Sequence, residues 1–512
     1  MCDKCPNSPG ILTELDNVGP PHWNVPIEML SDDVLLEIFD LYLDKDSDED
    51  TDPWYECLQD TMYPYDAWYK LAHVCQRWRY VVFASPRRLN LRLHCSRRRV
   101  REMLDVWPAF PTIIWDIVDF RSDEDSIIAT LEHRDRVCEI RLEHLTIYQS
   151  EKLIPHMQES FPALTKLQIE QSIESSSLAY DEIPPPVLPD SFLGGSAPHL
   201  RFLCLSISFP ALPNLLLSAS HLVYLFLSDV PSGFISPEMV TALSAMTKLE
   251  GMRLVFGPPL FDSDLKHPAP LPLTRSVLPA LEGLELRGHS RRLDDFVARI
   301  DVPSISSLDI RLMDRPFSVV DLFHLPQFIG RAEAFRSLDY AEINFGYGGV
   351  KVTVSMRTFS PGCGVLQFGA LYPSEGPLPT LVQACSSSLL PLSDTQYLSI
   401  TTPESQSHPS FDTGVTQWVD ILLPFSAAKK LSLGSMHIVQ PVAFALKQVV
   451  EEGMTDVLPA IQKISVVRSL PVGPVREAIE QFAAARGLTA FERLGSSEWR
   501  FSAQDSDDAS DG

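Results

Sequence analysis

Few stretches of this chain carry residue types that could do chemistry. Cys2 and Cys5 have the spacing of half a zinc site, but no second such pair follows at ligand spacing, so no metal is expected. The run DKDSDEDTD at residues 44–52 alternates aspartates as a calcium loop does. Glu49 stands where that loop needs glycine and Tyr55 where it needs a bidentate glutamate, so the run reads as a solvated acidic loop. RRRVR at residues 97–101 has the composition of a nucleic-acid patch, yet reads more simply as arginines facing solvent or pairing with the acidic run. GYGG at residues 346–349 and the Gly362-Cys363-Gly364 triplet are better explained as turns than as phosphate cradles. No phosphate loop, dinucleotide fingerprint, zinc-protease helix, serine elbow or kinase signature occurs. The chain is therefore read as not an enzyme, with no catalytic residue and no cofactor.

Composition narrows the partners. The 512 residues carry a formal net charge of -25 and a mean hydropathy of +0.01, so the chain belongs to the globular class. That charge argues against nucleic acid and against anionic membranes, and no small-molecule substrate is indicated. The polar start shows no leader, and nine scattered cysteines fit reduced thiols in the cytoplasm, the nucleus or both. Residues 202–228 carry no Asp, Glu, Lys or Arg. Two prolines, an asparagine and a histidine lie within them, so they read as buried core rather than a membrane span.

What would position any function is a pair of apolar helices near the start. Leu35, Ile38, Phe39 and Tyr42 fall on one helical face, while Val34, Leu36, Leu41 and Leu43 make the others apolar too. A helix apolar on nearly all sides must be covered on more than one. A second helix is expected from about residue 66 to 83, with Leu71, Val74, Cys75, Trp78, Val81 and Val82 at helical spacing. The strings LSDDVLLEIF (residues 30–39) and HVCQRWRYVV (residues 73–82) resemble an F-box, in the form found in a large group of fungal F-box proteins. The resemblance implies docking onto the small adaptor subunit of a cullin-based SCF ubiquitin ligase, and through it onto a cullin. Ser31 stands where proline is usual. Leu30, Val34, Leu35, Ile38, Phe39, Val74, Trp78 and Val81 are the expected adaptor-binding residues.

From Val137 onward one pattern recurs: apolar, two variable, apolar, one variable, apolar. It occurs around Ile140, Leu167, Leu203, Leu225, Met252, Leu284, Leu308, Leu338, Leu398, Leu431 and Ile464. Most of these middle positions lie roughly 22 to 36 residues apart, and one gap is about twice as long. This is a leucine-rich-repeat signature, in which two side chains of a short strand point into a stacked core. The asparagine or cysteine usual three residues after the last leucine is replaced by Ser172, Ser208, Val230, Gly257, His289 and Met313, so irregular turns are expected. The long gap contains a predicted β-hairpin, residues 341–345 and 350–356 around a four-residue turn. Helices are predicted over residues 415–423, 442–452 and 475–486, the last capped by Gly487. LPAIQ at 458–462 and GPVREAIEQFAAAR at 473–486 again resemble the fungal F-box group.

The expected fold class is an α+β or α/β solenoid. Its parts are a mobile stretch at 1–25, an F-box at 26–86 with an acidic insert near 44–65, and a linker and capping region at 87–136. A leucine-rich-repeat-like domain then covers 137–490, with a hairpin insert near 341–357. Residues 491–512 form a C-terminal segment with a disordered acidic tail. Residues between and after the inward leucines should line a binding face: Arg141, Glu143, Gln168, Glu170, Cys204, Ser206, Phe226, Ser228, Arg253, Val255, Glu285, Arg287, Asp309 and Arg311, then Ser399, Thr401, Ser432, Gly434 and Ser465. Phe226, Arg253, Glu285, Arg287, Asp309 and Arg311 are the expected contacts to an unknown protein target. The expected role is a non-catalytic substrate receptor. The alternatives are a repeat-containing scaffold whose F-box acts outside ubiquitin ligation and, further off, an unrecognised enzyme.

Overall fold

The structure, a computed structural model, describes residues 29–44, 67–85, 93–94, 101, 104–105, 110–116, 124–171, 187–209, 213–231, 236–257, 275–313, 322–346, 349–356, 364–371, 390–402, 415–467, 472–488, 490–494 and 498–502. Cys2, Cys5, residues 45–65, the arginine run up to Val100, Gly362, Cys363 and the tail from 503 lie outside the described residues. The chain divides into two compact units, one formed by Met1–His94 with Trp107–Phe110, the other by the rest.

The first unit is helical. Helix α1 (Asp32–Asp44) opens at Ser31, whose hydroxyl accepts from Val34 N at 3.4 Å. The expected single second helix is instead two, α2 (Ala67–Val74) and α3 (Gln76–Ala84). Cys75 breaks them: its backbone is extended (φ -156, ψ 172) and its thiol accepts from Trp78 N, capping α3. The apolar spacing runs straight through this break, so periodicity alone could not reveal it.

The second unit is mixed α/β, built on a large, mostly parallel sheet. Its strands β1 (Thr112–Asp116), β2 (Val137–Leu145), β3 (Lys166–Gln171), β4 (Phe202–Ser206), β5 (Tyr224–Val230), β6 (Gly251–Phe256), β7 (Gly283–Gly288) and β8 (Ser307–Leu312) pair in parallel, each beside its predecessor. The middle apolar residues lie side by side in register, from Ile140 through Leu167, Leu203, Leu225, Met252 and Leu284 to Leu308. All are buried in one continuous core. β1 and helix α4 (Glu124–Leu131) extend this unit into what the sequence reading treats as a linker.

A turn delivers the chain to each strand. Leu164, Leu200, Leu281 and Ile461 donate their N–H groups to the carbonyls of Phe161, Ala197, Leu278 and Leu458, with proline in the next position of each turn. Proline's fixed φ suits that corner. At the other end, β2 and β5 slip register at the same place in the pattern, where His144 and Asp229 both take φ 54.

The expected hairpin forms, as β9 (Tyr340–Gly346) and β10 (Gly349–Ser355), paired up to Gly346 and Gly349; residues 347–348 lie outside the described set. It is not an appendage. β11 (Val365–Leu371) pairs antiparallel with β10 and parallel with β8, while β9 pairs parallel with β12 (Tyr397–Thr401). The three strands therefore continue the sheet, and Ile343, Val352 and Phe368 carry the buried file across it. This corrects one repeat assignment. Ala341 and Ile343, rather than Leu338 and Tyr340, align with Leu398 and Ile400, and Leu366 and Phe368 supply a further copy beside β8. The copy around Leu338 falls on the preceding turn, three residues short of the strand register.

β13 (Lys430–Leu433) and β14 (Lys463–Val467) follow in parallel, and the antiparallel β15 (Ala490–Leu494) and β16 (Glu498–Ser502) close the described sheet. Helices α5 (Ile147–Leu153), α6 (Pro213–Ser218), α7 (Pro237–Ser244), α8 (Ser290–Val297), α9 (Leu325–Arg331), α10 (Val415–Leu422), α11 (Met436–Glu451) and α12 (Pro474–Ala485) occur in the connections. The uncharged stretch at 202–228 is β4, α6 and part of β5. No helix among the described residues is long and apolar enough to cross a membrane.

Candidate functional site

Two surfaces collect the residues singled out in the sequence, one in each unit. In the helical unit, Leu35, Leu36, Phe39, Trp68, Leu71, Ala72, Val81, Val82 and Phe110 make the core. Trp78 stacks at a tilt on Phe39, ring centroids 4.8 Å apart, and Leu30 packs on the same cluster. Arg77 ties α3 to the start of α1, donating to Asp32 at 2.7 Å and to the Leu30 carbonyl at 2.5 Å.

This divides the eight expected docking residues. Leu35, Phe39 and Val81 are interior and hold the helices together, each burial contributing about 2 kcal/mol. Leu30 and Trp78 are half-buried. Only Val34, Ile38 and Val74 face solvent, joined on α1 by Leu41 and Tyr42. The stripe expected to act together is thus split, because Leu36 and Leu43 pull the buried face around the helix, leaving Ile38 and Tyr42 outside.

On the sheet unit, the face opposite the apolar files carries polar residues in register. Phe226, Arg253, Glu285 and Asp309 are neighbours on β5 to β8, and Arg287 sits beside Arg311 one file on. All six expected target contacts therefore come together. Glu285 is the hub: it accepts from Arg253, from Arg287 Nε at 2.5 Å, and lies 3.9 Å from Arg311 Nε. Arg311 Nη2 donates to Asp309 at 2.9 Å. Burial opposes the charge on Arg311, but its hydrogen bond and attraction to Asp309, with Glu285, outweigh this and hold its pKa above the ordinary value.

Phe226 is buried rather than offered: Phe202 meets it edge-on at 5.5 Å and Arg253 lies over its ring. Toward the chain start, Arg141 caps the Trp115 ring and pairs with Glu139, and Gln168 donates to Glu143 and Glu170. Toward the end, the face turns to hydroxyls: Ser399, Ser432 and Ser465 in file, with Thr401 donating to Glu342.

Several members of this face escape the sequence reading, Lys351 and Gly369 chief among them. Both belong to strands whose entry into the sheet beside Arg311 depends on tertiary pairing, and Gly369 is in register with Arg311 and Lys351. Burial pushes the Lys351 ammonium below its ordinary pKa, partly countered by Asp309. Among the described residues, no group of three or more His, Cys, Asp or Glu could hold a metal ion. No family model matches this chain, and no curated protein matches it.

Proposed function

We propose that the chain is a non-catalytic substrate-recognition subunit of an SCF-type ubiquitin ligase. In this reading the helical unit acts as an F-box on the adaptor, and the sheet unit, an irregular leucine-rich-repeat solenoid, holds a protein target. The observation that carries it is the strip Val34, Ile38, Leu41 and Tyr42 on α1, still exposed after the unit has completed its own core. A contiguous apolar strip on a charged chain favours a protein partner. The unbroken files of in-register apolar side chains support the repeat reading, since stacked strands cover each other's apolar faces. Holding a target near the ligase would speed transfer by proximity alone.

Co-purification tests this. Ile38→Asp changes an exposed position, so the protein should fold and lose the adaptor by about thirtyfold or more in affinity. Tyr148→Asp, exposed on the sheet unit, should retain it. Adaptor retained by the Ile38 variant would sink the docking face, and adaptor captured without cullin would favour a scaffold role.

A further inference from the structure

The file Arg287, Arg311, Gly369 and Lys351 crosses β7, β8, β11 and β10 in register. Its three cations are not simply cancelled by the carboxylates nearby. The Glu285 and Asp309 side chains are 6% and 16% exposed, while those of Arg287 and Arg311 are 28% and 42% exposed. Short carboxylates thus lie low against the sheet and long guanidiniums reach above them, so a partner meets mainly N–H donors. Between Asp309 and the next carboxylate the compensation thins, because the file holding Glu285 and Asp309 continues as Gln367 and Thr353 before reaching Glu342 on β9, which accepts from Thr401.

Gly369 makes a gap in this file. With no side chain there, Arg311 and Lys351 stand two strands apart, about 10 Å between backbones, over a bare floor. A Cβ at Gly369 would make ordinary van der Waals contact, with Arg311 Cγ at 3.4 Å and the Ile310 and Val350 carbonyls at 3.8 Å, so alanine can occupy the floor without a clash. Asp309 engages only Nε and Nη2 of the Arg311 fork, which has further donors to offer.

We propose that the gap over Gly369 receives a carboxylate side chain from an acidic stretch of the protein target, laid across the strands between Arg287 and Lys351. The proposal rests on reading this face as the target-binding surface. A carboxylate there makes charge-assisted bonds to Arg311 and to Lys351, whose ammonium is left disfavoured by burial in the free protein. A polynucleotide fits less well, since its run of backbone phosphates calls for a longer array of cations than the three in this file.

The test uses the full chain and a fluorescent peptide bearing a run of glutamates, with counterparts bearing glutamines or lysines, read by anisotropy. The glutamate probe should bind about tenfold more tightly than the glutamine one, and the lysine probe should not bind. Gly369→Ala fills the gap while keeping every charge, and should weaken the glutamate probe about tenfold with no fall in melting temperature. Lys351→Met should weaken it similarly. Equal binding of glutamate and glutamine probes, undiminished binding by Gly369→Ala, or no saturable binding of the glutamate probe would each overturn the proposal. Adaptor capture by the same preparations separates the two readings: probe binding lost with adaptor retained tells against the acidic target alone, and adaptor lost tells against the receptor role alone.

Discussion

Glu285 shows how much of the polar face depends on one buried side chain. It is 4% exposed and accepts from two arginines on different strands, so Glu285→Ala leaves Arg253 and Arg287 without their shared acceptor. Loss of about 3 kcal/mol of stability is expected, measured by chemical denaturation. Lys351 should act in the opposite sense. Its folded pKa lies below the ordinary 10.5, so the folded state bears a penalty for the charged amine throughout the range below that folded value. The penalty fades as pH rises to 10.5. Lys351→Met should therefore melt above the parent at neutral pH, with the gap narrowing toward pH 10.5 in a pH series. A residue that costs stability yet faces a surface is consistent with selection for binding.

At the scale of elements, caps and turns decide what spacing cannot. Cys75 interrupts a helical pattern that continues on both sides of it, and a thiol is a weak acceptor for a cap. Cys75→Ser should keep the break and gain about 0.5 kcal/mol, seen as a higher melting temperature, whereas a continuous helix would gain nothing from it. The hairpin was legible from the alternation of Val350, Val352 and Val354 with polar residues. Its place was not, because strand alternation reports which residues share a face and says nothing of which strand lies beside them. Val352 is fully buried between β9 and β11, so Val352→Asp should cost about 4 kcal/mol or more and loosen the sheet on both sides, readable by hydrogen exchange in β8 and β12.

For the sheet unit as a whole, each strand covers its neighbour and the ends need covering too. Helix α12 buries Ile479 and Phe482, and β16 pairs along β14. A chain ended after residue 467 should expose the apolar surface that α12 covers and a bare strand edge together, and aggregate on light scattering where the full chain stays dispersed. The recurrence of the apolar pattern, its opposite polar face and the positions of α1, α10 and α12 are determined by sequence alone, because the period of buried side chains is a local property. Which apolar residues of α1 turn inward, where the Leu338 copy really lies, and the meeting of Arg311, Gly369 and Lys351 are decided only by tertiary structure. Each depends on what packs against the segment from far along the chain, and a register shift of a few residues exchanges one set of neighbours for another.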